Sequence, residues 1–327
     1  MNKKALIDVP VLLIFFTRPD TFKKVFEKVK EARPSKLFLA CDGPRENRPD
    51  DIEKINQCKK IAEDIDWECE IYTDYSEKNL GCGIRPQSAI AWALGIVDRI
   101  VILEDDCVPD ASFFGYMREL LERYKDDERI GLVSGLNHLY EWDCGEYSYL
   151  FSSNSAIWGW GTWRRVWKNY DFSMSGIKDN YAKYLVQNSI CGNKASRKKK
   201  VAKFEQDNKR IEKGEKIQYW DEQFDFMQIY QSYLSIIPAK NLITNIGVGE
   251  GATHFNKANV TKWKKGEVCF MPSHTIKLPL KHPPFVIEDV NFTNAVDRKI
   301  KNPRFFRKNF KRAQRLLKRF SIITKIC

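Results

Sequence analysis

The twelve residues Arg99 to Asp110, R-I-V-I-L-E-D-D-C-V-P-D, constrain this chain more than any other stretch. Ile100 to Leu103 is a short, unbroken apolar run, mostly β-branched, which suits a strand buried on both faces of a parallel sheet. Glu104, Asp105 and Asp106 follow without a spacer. Three carboxylates at the carboxyl end of a buried strand repel one another unless a cation or a polyhydroxyl ligand lies among them. In an open α/β sheet that edge is also where ligands bind. The alternative is a solvated acidic turn, but the triplet ends an apolar strand and precedes a helix, which favours the ligand site. Asp110 is a candidate N-cap for that helix, with Phe113, Met117, Leu120, Leu121 and Tyr124 at helical spacing.

The residues before the triplet repeat one unit. Strands are predicted over Val9–Phe16, Leu37–Cys41 and Glu68–Thr73, and helices from Asp20 or Thr21 to about Ala32, from Asp50 to about Asp64 and over Pro86–Val97. Strands alternating with helices imply a parallel, doubly wound sheet with right-handed crossovers. Beyond Tyr124 the rhythm changes. Ile130–Ser134 and Tyr149–Ser152 read as strands, and a helix opens at Tyr219–Phe224 with Phe226, Met227 and Tyr230 buried. Trp158-Gly159-Trp160-Gly161-Thr162-Trp163 reads as a Gly-hinged aromatic loop, with Trp158 and Trp160 as candidate stacking surfaces for an acceptor; core packing is the alternative for such tryptophans. Residues 173–214, polar and lysine-rich with weak periodicity, read as a mobile insertion, and Asn245–Phe255 as a glycine-rich loop ending in Thr253-His254.

Charge and cysteine set the partners. Of a net charge of +12, the segment Arg298–Cys327 supplies twelve Lys or Arg and no acid, so the rest of the chain is close to neutral and nucleic acid is not expected. Within that segment Phe306, Phe310, Ala313, Leu317 and Phe320 form one helical stripe with basic residues off it, a pattern that points to an anionic membrane surface; a helix packed on the core is the alternative. Nine scattered cysteines without a C-x-x-C pair suit a reducing compartment, and the longest apolar run is far short of the roughly 20 residues a spanning helix needs. A cytoplasmic protein, peripheral on the inner face of the membrane, is expected.

No phosphate loop of the G-x-G-x-x-G or Walker type occurs; Gly81-Cys82-Gly83 is too short to be one. The chain offers instead a carboxylate cluster and a distant histidine, His254. That set suits Mn²⁺ or Mg²⁺ bridging a nucleotide diphosphate, with His254 either a ligand or an ordinary hydrogen-bonding residue. Arg85 is a candidate diphosphate contact, because an Arg fork matches phosphate oxygens.

Glu104-Asp105-Asp106 with Pro109-Asp110 and Phe113-Phe114 resembles the E-D-D…P-D-F-F segment of the GT-A-fold glycosyltransferases related to N-acetylglucosaminyltransferase I and to bacterial sugar transferases. Further blocks agree in order: Pro10-Val11-Leu12 with Arg18, Asp42-Gly43, Trp92-Ala93-Leu94-Gly95, Gly159-Trp160, Trp220-Asp221 and Thr253-His254. The resemblance implies that Asp106 ligates the metal, that Glu104 and Asp105 hold ribose and donor-sugar hydroxyls, and that Arg18 and Asp42 contact the nucleoside. It implies Asp221 as the general base, with Glu222 as the competing candidate. Eukaryotic members carry an amino-terminal anchor that has no counterpart in this sequence, and the loop before the Trp92 helix is shorter here, so a donor preference does not carry over.

The expectation is an α/β chain of GT-A type, with a mixed, mainly parallel central sheet flanked by helices. Residues 1–280 form the transferase domain (1–106 the nucleotide-binding half, 107–280 the acceptor-binding half) and 281–327 a basic amphipathic tail. Its expected activity is metal-dependent, inverting transfer from a UDP-sugar to a glycan or lipid-linked saccharide in bacterial surface-polysaccharide synthesis. The alternatives are a sugar-1-phosphate nucleotidyltransferase and a non-catalytic membrane-binding protein on the same fold.

Overall fold

The computed structural model describes residues 3–247 and 269–301. Its elements in chain order are β1 (Val11–Phe15), α1 (Pro19–Ala32), β2 (Lys36–Cys41), α2 (Asp50–Ala62), β3 (Glu70–Tyr75), α3 (Arg85–Ile96) and β4 (Arg99–Glu104). Then come β5 (Cys107–Pro109), α4 (Phe113–Arg123), β6 (Ile130–Ser134), β7 (Tyr149–Ser152), β8 (Trp160–Trp163) and α5 (Arg164–Trp167). They are followed by α6 (Asn180–Ser189), α7 (Lys194–Glu212), α8 (Asp221–Tyr230), β9 (Leu234–Pro238), β10 (Ile243–Asn245) and α9 (Val290–Lys301).

The sheet order is β3-β2-β1-β4-β8-β6-β9-β7. The first four strands are mutually parallel, β8 runs antiparallel to both its neighbours, and β6 and β9 are parallel. The fold is therefore α/β with a mixed, mainly parallel sheet between helices. β1 is buried along its whole length and β4 over Ile100–Leu103, so hydrophobic burial holds the carboxylate-bearing strand at the sheet's centre. α1 packs Phe22, Val25, Phe26 and Val29 inward, with Phe22 stacked on Phe15 at 4.3 Å. A separate two-stranded ribbon, β5 with antiparallel β10, leaves the main sheet directly after the acidic triplet. Among the described residues no helix is long and apolar enough to cross a membrane, and none of the eight cysteines forms a disulfide.

Several sequence expectations need correction. Residues 160–163 are strand β8 rather than part of a loop, and Trp160 is core, 1% exposed, with its ring 5.9 Å from Trp220 and 4.9 Å from Phe224. The sharp bend lies just before it, where Gly159 adopts φ +59° and a Cβ would sit 2.3 Å from Ile243. Trp160→Ala is expected to cost about 3–5 kcal/mol of stability, read as a lower denaturation midpoint, as large-to-small changes in packed cores do. A normal midpoint with weakened saccharide affinity would contradict the core assignment. Residues 173–214 hold a short 3-10 helix (Ser175–Lys178), α6 and α7 where a mobile insertion is expected. α7 is capped by the Asn193 side chain, which accepts from Ser196 N at 2.9 Å, and it buries Val201 and Phe204 alongside Asp207 and Asn208. Those two polar residues on the inward face are what weaken the apolar period. Tyr230 is 42% exposed rather than buried.

The boundary expected at residue 281 falls within packed structure, because α9 buries Phe292 and Val296 against Leu136, Leu150 and Ile237. The stripe from Phe306 to Phe320 lies outside the described residues.

Candidate active site

The crossover connections bring Arg18, which follows β1, and the acidic triplet, which ends β4, to the same edge because β1 and β4 are neighbours. Arg18 grips both aspartates: one guanidinium nitrogen bonds Asp105 Oδ1, the other lies 2.8 Å from Asp106 Oδ2. Asp105 also accepts from the Phe16 backbone N–H at 3.3 Å and is 4% exposed. Its two oxygens are engaged by Arg18 and by the Phe16 N–H, so it ties Arg18 to the end of β1. Asp106 lies against β10. Asn245 Nδ2 donates to its Oδ1 at 3.1 Å, the Ile246 N–H donates to its backbone carbonyl at 2.9 Å, and a Cβ on Gly247 would sit 1.9 Å from its Oδ2. Glycine at 247 is what allows the backbone to pass so close.

Glu104 makes no hydrogen bond or ion pair among the described residues. Burial, and then the charges of Asp106 and Asp105, push its carboxyl up to about 8. Asp105 is also raised, first by burial, with Arg18 opposing. Folded Glu104 therefore holds its proton more tightly than the unfolded chain does, so its contribution to stability is complete below about 4.5 and is lost as pH rises through about 8. Glu104→Gln is expected to melt higher than the parent in chelator at about pH 9, with the gap shrinking toward about pH 5. A constant gap across that range would contradict this.

Arg18, Glu104, Asp106, Asn245 and Gly247 line a cleft of about 140 Å³ that also takes in Cys82, Trp158, Tyr219, Trp220 and Asp221. Asp221 opens α8, is exposed and has no hydrogen-bond or ion-pair partner among the described residues. It is near enough for its charge to raise Glu104. Glu222 is differently placed: Lys200 Nζ lies 2.8 Å from it and 2.7 Å from Asp225. Tyr219 is held by α7, its hydroxyl donating to buried Asp207 at 2.8 Å.

Three further expectations change. Arg85 is 4% exposed and bound to Asp74, 2.7 Å from its Oδ2 and also to its backbone carbonyl, so it braces β3 and is withdrawn from the cleft. Asp42 accepts from the backbone N–H groups of Gly43, Leu80 and Gly81, at 2.8 to 2.9 Å, and from Asn79 at 3.1 Å. Four donors use up a carboxylate's acceptor sites, so Asp42 shapes the 79–81 loop instead of reading a nucleobase. Trp160 lies in the core, leaving Trp158 alone of the pair on the cleft. His254 lies outside the described residues. Asn245 and Tyr219 belong to the site without a sequence motif that singles them out, and Gly247 shows only as the first glycine of the expected loop.

Among the described residues no group of three His, Cys, Asp or Glu side chains is arranged to hold a metal by itself. A hard divalent cation needs fewer: Mg²⁺ is commonly held by one or two carboxylates, with phosphate oxygens and water completing the shell. Asp106 is such a carboxylate, and the raised proton affinity of Glu104 marks excess negative charge that a cation would relieve. The residues fit Mn²⁺ or Mg²⁺ carried in with a phosphate ligand.

No protein-family model and no curated protein matches the chain. Solved structures similar in part include a cytidylyltransferase from Leptospira borgpetersenii serovar Hardjo-bovis, at 13% identity and TM-score 0.29 over 62% of this chain and 73% of that one. A UDP-glucose pyrophosphorylase solved with UDP-glucose gives 10% identity and TM-score 0.25 over 46% of this chain and 64% of that one. The 4-diphosphocytidyl-2C-methyl-D-erythritol synthase of Anaerococcus prevotii gives 11% identity and TM-score 0.29 over 68% and 98%. At TM-scores this low the likenesses carry no argument about the reaction. The chain itself has an α/β, Rossmann-like arrangement, a mainly parallel sheet between helices.

Proposed function

We propose that the protein is a metal-dependent, inverting glycosyltransferase that moves a sugar from a UDP-sugar to a saccharide hydroxyl. The observation that supports this best is that one cleft is lined both by the acidic corner of Glu104 and Asp106 and by Asp221, a carboxylate without a hydrogen-bond or ion-pair partner among the described residues. Inverting displacement needs a base on the face opposite the leaving group. Asp221 takes the acceptor's hydroxyl proton as that oxygen bonds to the anomeric carbon, whose bond to the diphosphate oxygen breaks to release UDP. A divalent cation on Asp106, when bound, supplies Lewis-acid neutralisation of the departing diphosphate. Trp158 offers a ring face for a pyranose, and His254 remains a candidate second ligand. Residues 298–327 are proposed to contact anionic lipid, which suits a lipid-linked acceptor; flotation on anionic liposomes that survives their removal would exclude it.

The second reading is sugar-1-phosphate nucleotidyl transfer, the activity that one of the similar structures, a UDP-glucose pyrophosphorylase, is named for. It calls for a glycine-rich loop with a basic residue after the first strand, and Phe15-Phe16-Thr17-Arg18 has no glycine. Two incubations of the full chain with Mn²⁺ separate them. A panel of UDP-sugars should yield free UDP, whereas UTP with sugar 1-phosphates should yield no pyrophosphate. The reverse pattern would establish nucleotidyl transfer.

A further inference from the structure

Beside the first cleft lies a second of about 230 Å³, and the two share Ile157, Trp158 and Asp221. Asp221, a carboxylate without a partner among the described residues, lines both, so a hydroxyl held in the second cavity would meet there a donor held in the first. At that size, below the roughly 300 Å³ at which small-ligand pockets begin, the second cavity suits one sugar residue.

Its charge is lopsided. Among the described residues that line it, Asp221, Glu222 and Asp225 are acidic and Lys200 is the cation: three carboxylates less one ammonium leave two negative charges. His138, also on the wall, adds none at neutral pH, because burial and then the nearby Lys299 push its imidazole down to about 4. Glu222 and Asp225 are tied together: Lys200 bridges them, and Ser155 Oγ donates to Asp225 at 2.9 Å. Carboxylates accept hydrogen bonds from sugar hydroxyls and ammonium groups and repel other carboxylates and phosphates.

We infer that this second cavity is the acceptor subsite and that it selects a neutral or amino-bearing sugar residue while rejecting a uronic acid or a phosphorylated one. The inference rests on the transferase reading and adds the acceptor's chemical class. Lys200, from the helix hairpin α6–α7, is then a specificity-determining residue.

The test is binding of methyl glucoside, methyl glucosaminide and methyl glucuronide to the full chain, followed by ligand-observed NMR at neutral pH and low salt. The glucuronide is expected to bind at least roughly tenfold more weakly than the other two, with the gap narrowing at high salt. Glu222→Gln and Asp225→Asn, each checked by its melting midpoint, are expected to narrow the gap as well. Equal or tighter binding of the glucuronide overturns the inference, as does no binding of any of the three, or a ratio that neither variant moves. UDP binding is read separately: if UDP fails to bind while the glucoside still does, the transferase reading falls and the saccharide site stands. If UDP binds and the glucuronide is preferred, only this inference falls.

Discussion

Asp221→Asn is expected to bind UDP as the parent does and to lose transfer by about 10²- to 10⁴-fold in kcat, the usual worth of a positioned general base. The substitution keeps the side chain's shape and removes only its capacity to take a proton. Because Asp221 has no partner among the described residues, the melting midpoint should move little, within about 0.5 kcal/mol of stability. Glu222 does not stand in for it: its carboxylate is tied to the Lys200 ammonium at 2.8 Å, away from an acceptor's proton. Glu222→Gln should therefore retain transfer to a neutral acceptor within about tenfold of the parent. Normal turnover by Asp221→Asn would show the base to be elsewhere.

Asp106→Ala is expected to abolish the stabilisation that UDP and Mn²⁺ together give. In the parent, a ligand at a hundredfold excess over Kd adds about 2.7 kcal/mol, read as a raised melting midpoint. The variant loses the carboxylate that Arg18 and Asn245 both touch, leaving Arg18 with Asp105 and Asn245 Nδ2 with only the Cys107 sulfur, 3.7 Å away. Its own stability is set by two opposing changes, a lost ion pair and relief of the repulsion that raises Glu104. The shift on adding UDP and Mn²⁺ is thus the informative quantity rather than the variant's own midpoint. A full shift in Asp106→Ala would remove this residue from the site.

The elements that the sequence makes plain are those in which burial alone decides. β1, β2 and β4 are buried almost throughout, so their apolar runs stand out, and α1 and α4 show a clean apolar stripe. β8 hides because its four residues place two glycine-spaced tryptophans in a central strand, where Trp160 meets Trp220 and Phe224 only after the chain has crossed the sheet. α7 hides because its inward face carries Asp207 and Asn208, whose hydrogen bonds to Tyr219 and the Ser173 carbonyl come from distant segments. Within the site, the triplet stands out from type and position, whereas Asp221 enters only through the family resemblance. The roles of Arg85 and Asp42 are not legible, because a buried Arg bound to Asp74 and a surface Arg awaiting phosphate read the same in one dimension. The approach of Asn245 and Gly247 to Asp106 depends on β10 pairing with β5, a contact across more than a hundred residues.

The central claim is that a divalent cation at the end of β4 carries the diphosphate of an activated sugar. The most direct test is a titration of UDP into the full chain in Mn²⁺, repeated in EDTA. The account predicts saturable binding in Mn²⁺ that is lost in EDTA; equal affinity in the two buffers, or no binding in either, would contradict it.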